Sequence, residues 1–184
     1  MDANRFMDIQ QEYIREQRAF LDRLEKITQC EYRTLDIDCS KIDELLFNTH
    51  IESFREAGIR RNMPVLYYFV MQMGDQMHEV QNTLKKMKTG PGKSNLALPR
   101  INNISDQTTP ILYVGKSWDF IARYKQHLGL SHPSTYSLHL NKWADGLGLQ
   151  LRVYYMLCIE GEMLDQLESI LHFGLKPILG REGH

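Results

Sequence analysis

Residues 110–127 read PILYVGKSWDFIARYKQH, a stretch that predicts a strand followed by a helix. Its apolar run ends in Tyr113, Val114 and Gly115, and a helix that follows carries Arg123 and His127. Aromatic and β-branched residues favour a strand, and side chains four apart share one face of a helix. The arginine fork suits a phosphate and a histidine can move a proton, so this strand end is a candidate reaction site.

The rest of the chain predicts an α/β (α+β) fold, in which helices flank a small mixed or antiparallel sheet of three strands. The strands are expected near residues 65–71, 111–114 and 149–157, with a short additional run at 96–98. Helices are expected near residues 75–88, 118–128, 135–145 and 162–173. Ser117 is the predicted N-cap of the helix that follows the strand at 111–114.

The N-terminal part is predicted to be a helical hairpin. Phe6, Tyr13, Phe20 and Ile27 recur every seven residues and form an apolar stripe on an otherwise polar helix. A second helix, capped by Ser40, is expected to end near residue 58. We expect the stripe to pack on this second helix, and a homodimer through the N-terminal helices is the alternative.

Bulk composition allows one core with a helical extension. The chain has 184 residues, of which 42% are hydrophobic and 24% charged. Without an apolar run of about 20 residues or a signal peptide, it is predicted to be cytoplasmic and not membrane-bound. Cys30, Cys39 and Cys158 follow no metal or disulfide spacing and are expected to be reduced thiols.

Charge is unevenly distributed along the chain. The net charge of −1 argues against a large nucleic-acid footprint. Residues 63–109 nevertheless hold five Lys and Arg against three Asp and Glu. The last predicted helix offers Glu168 near its apolar face, and such a carboxylate can hold the divalent ion that phosphodiester hydrolysis often uses.

Residues 113–123, YVGKSWDFIAR, resemble the second motif of the GIY-YIG nuclease superfamily, especially the YVG-x-S-x-DF-x-x-R form of phage intron homing endonucleases. The resemblance covers roughly residues 64–180 and includes the later strand and the helix with Glu168. It implies that Tyr113 orients the attacking water, Arg123 stabilises charge on the scissile phosphate, and His127 transfers a proton or holds the phosphate. Glu168 would be the single protein ligand of one Mg²⁺ or Mn²⁺ ion.

The sequence departs from the family pattern at two places. No GIY motif occurs, and its counterpart is either residues 65–67, which supply Tyr67 as a candidate general base, or residues 96–98, which supply no tyrosine. The first alternative requires an insertion at about residues 72–109, as in restriction-enzyme members. The family often has Asn where this chain has Gly180.

These features lead to two functional hypotheses. The first is a metal-dependent DNA endonuclease, with RNA left open as a substrate, built from a helical region at residues 1–62 and a nuclease domain at 63–184. The predicted nucleic-acid-binding residues are Lys116, Lys125, Lys85, Lys86 and Lys93. The second is a catalytically weak or inactive module that binds nucleic acid or a protein partner.

Overall fold

The computed structural model describes residues 3–27, 32–73, 76–91, 93–102, 110–158 and 161–181, with the side chains of residues 7–26 in the first range. The predictions for Cys30 and for the side chains of Phe6 and Ile27 in the apolar stripe lie outside the described residues. The chain divides into two compact units, residues 1–31 and 32–184.

The larger unit is an α+β domain around a four-stranded antiparallel sheet, which confirms the predicted fold class and has one strand more than the three predicted. The strands are β1 (Arg33–Asp38), β2 (Val65–Met71), β3 (Ile111–Ser117) and β4 (Gln150–Leu157), and their order in the sheet is β1-β4-β2-β3. The helices are α1 (Ala3–Ile27) in the smaller unit, and α2 (Glu44–Glu56), α3 (Met77–Thr89), α4 (Phe120–Leu128) and α5 (Leu164–Leu175) in the larger one.

The predicted helical hairpin over residues 1–60 is wrong. In the sequence, strand β1 follows α1 and precedes α2, and α2 belongs to the unit that contains the sheet. Phe54 on α2 is fully buried. Its ring centroid lies 4.9–5.0 Å from the ring centroids of Phe120, Tyr124 and Tyr155. The structural boundary therefore falls at 31/32 and not at 62/63, because the apolar face of α2 completes the core over the sheet.

Four local predictions also differ from the structure. Residues 96–98 form no strand, and residues 135–145 form short 3₁₀ turns at Leu140–Lys142 and Asp145–Leu147 in place of an α-helix. His139 has a φ of +49°, in the left-handed region, which ends any regular α-helix at that point. The N-caps of α2 and α4 are Asp43 and Asp119, whose carboxylates accept from backbone N–H groups one turn later.

The two faces of the sheet at β2 and β3 carry different partners. Tyr67 and Phe69 point to the face covered by α2 and α4, where their rings contact Phe120 and Tyr124. Leu66 and its cross-strand partner Lys116 point to the other face, and α5 contacts both strands there. The edge of β3 is joined to the segment after α5 by a bridge between Tyr113 and Leu179.

Other general predictions can be compared directly. Cys39 and Cys158 are buried, and burial, with the charges of Asp38 and Asp145, raises the pKa of the Cys39 thiol to about 12. None of the helices in the described ranges combines the length and apolar character needed to cross a membrane.

Candidate active site

The register of β2 and β3 brings two predicted tyrosines together. Tyr67 lies opposite Gly115 and Phe69 lies opposite Tyr113, so the two tyrosines are diagonal neighbours on one face. Their ring centroids are 6.2 Å apart and the planes differ by 30°. Residues 72–110 connect the two strands, which is the arrangement with an insertion, and the alternative first strand at 96–98 is wrong.

Gly115 is required by the closeness of these rings. A Cβ atom at this position would lie 2.7 Å from the Tyr67 hydroxyl oxygen and 2.6 Å from a ring carbon of Tyr113. Both distances are below van der Waals contact, so any side chain here would displace a tyrosine. The glycine of the YVG sequence therefore makes room for the paired rings.

His127 fixes the hydroxyl of Tyr67 from the side of α4. The His127 ring is fully buried, its Nε2 lies 2.9 Å from the Tyr67 oxygen, and its Nδ1 accepts from the Leu138 N–H at 3.3 Å. Burial, together with the positive charge of Arg123, holds the pKa of His127 well below 6.5, so the ring is neutral. Because Nδ1 accepts, the neutral ring carries its proton on Nε2 and donates it to Tyr67. His127 is therefore buried between the Tyr67 hydroxyl and the Leu138 backbone.

Tyr67 lies behind the surface of the site. It is fully buried, and burial, reinforced by neighbouring Tyr113, raises the pKa of its hydroxyl well above 10. The Arg123 guanidinium opposes this shift because it is close to the Tyr67 oxygen. At neutral pH Tyr67 is therefore a protonated phenol that takes part in hydrogen bonds.

Arg123 is the charged centre of the cluster. One guanidinium nitrogen donates to the Tyr136 carbonyl at 2.6 Å and to the Gln126 side chain at 2.9 Å. Burial acts against the charge, but attraction to Tyr67 and Tyr113 outweighs it and raises the pKa of Arg123. The side chain is thus permanently positive and held from several directions.

The side chains of Tyr113 and Arg123 line a cavity of about 500 Å³. This volume fits a small ligand or one nucleotide unit. Gly180 also lines it and has a φ of +110°, a backbone conformation that favours glycine. The side chain of Asn102 donates to the Gly180 carbonyl at 3.1 Å. An asparagine amide therefore contacts this turn even though position 180 itself is glycine.

Glu168 lies on α5, on the side of the sheet to which Lys116 points. It is 7% exposed, and its Oε2 lies 3.0 Å from Lys116 Nζ, which is also 2.7 Å from the Asp165 carboxylate. Burial raises the pKa of Glu168, while Lys116 and Arg123 act in the opposite direction. Mg²⁺ is often held by one or two carboxylates and several waters, and Glu168 with Asp165 fits that donor set. The Lys116 ammonium sits between the two carboxylates, where a cation is favourable.

The five predicted nucleic-acid-binding lysines do not line the cavity. Lys116 is held by its two carboxylates, Lys125 pairs with Glu44 at 2.9 Å, and Lys85 donates to the Gln81 side chain at 3.1 Å. Lys86 and Lys93 are exposed. The cations that do line the cavity, besides Arg123, are Lys88, Arg100 and Arg181. Sequence reasoning placed positive charge near 85–100 but could not tell which side chains face inward.

Comparisons with known proteins give no match: no family model, no curated protein and no solved structure is similar to this chain. Among the described residues, no group of three or more His, Cys, Asp or Glu side chains is placed to hold a metal ion. A metal site made of one or two carboxylates has fewer protein ligands than such a group.

Proposed function

We propose that this protein hydrolyses phosphodiester bonds in DNA with a GIY-YIG-type site that depends on a divalent metal ion. The observation that carries the proposal is the convergence of Tyr67, Tyr113, Arg123 and His127. Glu168 is on α5 and contacts Lys116 of β3. The motif predicted Tyr113, Arg123, His127 and Glu168 as one site, and Tyr67 was one of two alternatives. The tyrosines and Arg123 meet beside a cavity whose described lining residues include no acidic side chain.

Each side chain has a role that follows from its position. Arg123 faces the cavity and would bind the scissile phosphate, stabilising the charge that builds in the transition state. Tyr113 also lines the cavity and would orient the attacking water by hydrogen bonding. Tyr67 and His127 lie behind and would hold Arg123 and the phenol pair in place. Water forms the new P–O bond, the bond to the leaving oxygen breaks, and the proton that water loses ends on that oxygen.

Glu168, assisted by Asp165, would hold the divalent ion. When bound, the ion supplies Lewis-acid polarisation of the phosphate. Lys116 balances the charge of both carboxylates in the structure.

Cleavage of supercoiled plasmid DNA with MgCl₂ or MnCl₂ tests the proposal. We expect the wild-type protein to cut and Arg123→Ala and Glu168→Gln to lose about 100-fold or more of the rate, the range seen when one group that stabilises developing charge is removed. Arg55→Ala and Glu44→Gln are matched controls on the exposed side of α2 and should cut like wild type. Equal cutting by Arg123→Ala, Glu168→Gln and wild type would show that the site is wrongly assigned.

A second candidate function is a module that binds nucleic acid without cutting it. Two observations favour it: Lys116 bridges the carboxylates that would hold the metal, and Tyr67 is buried as a neutral phenol. In that case the wild-type protein should retain a labelled DNA duplex in a gel-shift experiment equally well with Mg²⁺ and with EDTA, and should leave it intact. Metal-dependent cleavage would exclude this candidate.

A further inference from the structure

The cavity beside Arg123 carries an excess of positive charge. Lys88, Arg100 and Arg181 line it together with Arg123. Within the described ranges, none of these four cations forms an ion pair with a carboxylate. Most lysines and arginines at protein surfaces are solvated singly, so four around one concave site form a focused positive field. Such a field attracts an anion.

The additional cations come from two segments that are fastened to each other. Lys88 and Arg100 belong to the segment inserted between β2 and β3, and Arg181 follows α5. The Gly180 N–H donates to the Arg100 carbonyl at 2.9 Å, and Asn102 donates to the carbonyls of Pro177 and Gly180 at 3.0 and 3.1 Å. These bonds fix the backbone on both sides of the cavity before any ligand enters, which lowers the entropic cost of binding.

The surroundings of Lys88 fix its position and lower its pKa. Its ammonium donates to the Pro99 carbonyl at 2.5 Å, which directs it toward the wall of the cavity. Burial, together with the positive charge of Arg181, lowers the pKa of Lys88. The cations therefore repel one another, and an anion between them would relieve that repulsion.

We propose that Arg100, Arg181 and Lys88 form a second phosphate subsite, which binds a phosphate that flanks the scissile one on the same DNA strand. Arginine forks match phosphate oxygens in two-pronged geometry, and the cavity has room for a nucleotide unit. Tyr136, whose side chain is 69% exposed, also lines the cavity and offers a ring on which a base can stack. The subsite rests on the proposed function, since its ligand is the substrate of that site, but it predicts binding independently of cleavage.

The test is DNA binding in EDTA, where no metal-dependent reaction occurs. Fluorescence anisotropy with a labelled duplex is measured for wild type, for Arg100→Ala/Arg181→Ala, and for the control Arg55→Ala/Arg61→Ala. The control removes two exposed arginines that do not line the cavity. We expect the first double variant to bind about tenfold or more weakly, as when charge-assisted hydrogen bonds are removed. Its slope of log K against log salt should also fall by about 1 for each phosphate that the variant no longer neutralises.

The outcomes separate this inference from the proposed function. A wild-type protein that does not cut, with binding still weakened only in Arg100→Ala/Arg181→Ala, would overturn the nuclease but keep the phosphate subsite. Equal weakening in the two double variants would show a general charge effect and overturn the subsite. Unchanged binding and salt slope in Arg100→Ala/Arg181→Ala, with circular dichroism confirming its fold, would also overturn it.

Discussion

At Gly115 the backbone of β3 passes within van der Waals range of two aromatic rings, and the absence of a side chain decides where both lie. Gly115→Ala is expected to destabilise the fold by about 1–3 kcal/mol, the usual cost of inserting atoms into a packed interior. It should also displace the Tyr67 hydroxyl from His127 and reduce any cleavage. Urea unfolding and the plasmid assay measure the two effects.

Gly146→Ala is the matched control for this change. Nothing lies within 4 Å of a Cβ atom at residue 146, and its φ is not positive. The same substitution should therefore leave stability within about 0.5 kcal/mol of wild type, as at other surface positions. A Gly115→Ala protein as stable and as active as Gly146→Ala would contradict the role given to residue 115.

His127 links the site to the pH dependence of stability. Burial keeps the pKa of the folded-state ring well below 6.5, whereas the unfolded ring takes up a proton near that pH. The unfolded state therefore binds more protons, and the free energy of unfolding falls as the pH drops below about 6.5, by up to about 1.4 kcal/mol per pH unit for one group. The pKa values of His50 and His139 are lowered by burial too, so they add to the wild-type slope.

Replacement of His127 by Gln should lower by about one the number of protons that the protein takes up on unfolding at acid pH. Urea unfolding of wild type and His127→Gln across pH 5 to 8 measures the difference in slope, with His132→Gln on an exposed turn as control. Should the His127→Gln protein keep the full wild-type slope below pH 6.5, the buried neutral ring would not be its source.

At the scale of elements, α2 differs most from the sequence-based prediction. Its buried face contains Phe47, His50, Ile51 and Phe54, and it closes the core over the sheet. His50 Nδ1 also lies 2.7 Å from the hydroxyl of Tyr124 on α4. Since α4 carries Arg123 and His127, α2 supports the helix that presents the site.

Removal of the Phe54 ring tests this assignment. Phe54→Ala is expected to cost about 3–5 kcal/mol because the ring is fully buried among three other aromatic rings. Leu45→Ala on the same helix, where the side chain is 74% exposed, should change stability by less than about 0.5 kcal/mol. Similar denaturation midpoints for the two variants would place α2 outside the core.

Strand β1 is the element that local pattern did not reveal. Leu35 and Ile37 alternate with polar residues, but six residues of weak alternation are also common in loops. Its place is set by antiparallel pairing with β4, where the Asp36 carboxylate accepts two bonds from Arg152 at 2.7 and 3.0 Å. A contact between residues 116 positions apart could not be inferred from the local sequence.

At the scale of the whole molecule, the smaller unit carries the amphipathic helix α1. Met7, Tyr13 and Leu21 are 56–60% exposed along this amphipathic helix. Burial of such a stripe against a second copy would remove apolar surface from water, so we predict a homodimer through α1. Light scattering after size exclusion should give about twice the chain mass of 21.6 kDa.

Charges placed on the stripe should separate the two copies. Tyr13→Arg/Leu21→Arg is expected to elute with the mass of one chain, because burying unpaired charges is costly. Glu12→Arg/Asp22→Arg, which alters neighbouring exposed charges, is the control and should stay dimeric. A single-chain mass for the wild-type protein across the micromolar range would contradict the dimer.

The sequence by itself determined the fold class and three of the four strands, and it named the candidate residues of the proposed site. Strands β2, β3 and β4 and helix α4 could be predicted because their apolar periodicity is local, and Tyr113, Arg123 and Glu168 because motif order and spacing are local too. Tyr67 could be named only as one of two alternatives, since the choice depended on which strand pairs with β3.

Only the tertiary structure decided the pairing of β1, the place of α2 and the character of the cavity. Lys88, Arg100 and Arg181 are far apart along the chain, and they meet because the inserted segment is bonded to the residues after α5. The burial that keeps His127 neutral and Tyr67 protonated likewise arises from the packing of α4 on the sheet. Local sequence sets which groups are available, but distance and desolvation between remote segments set their charge and their partners.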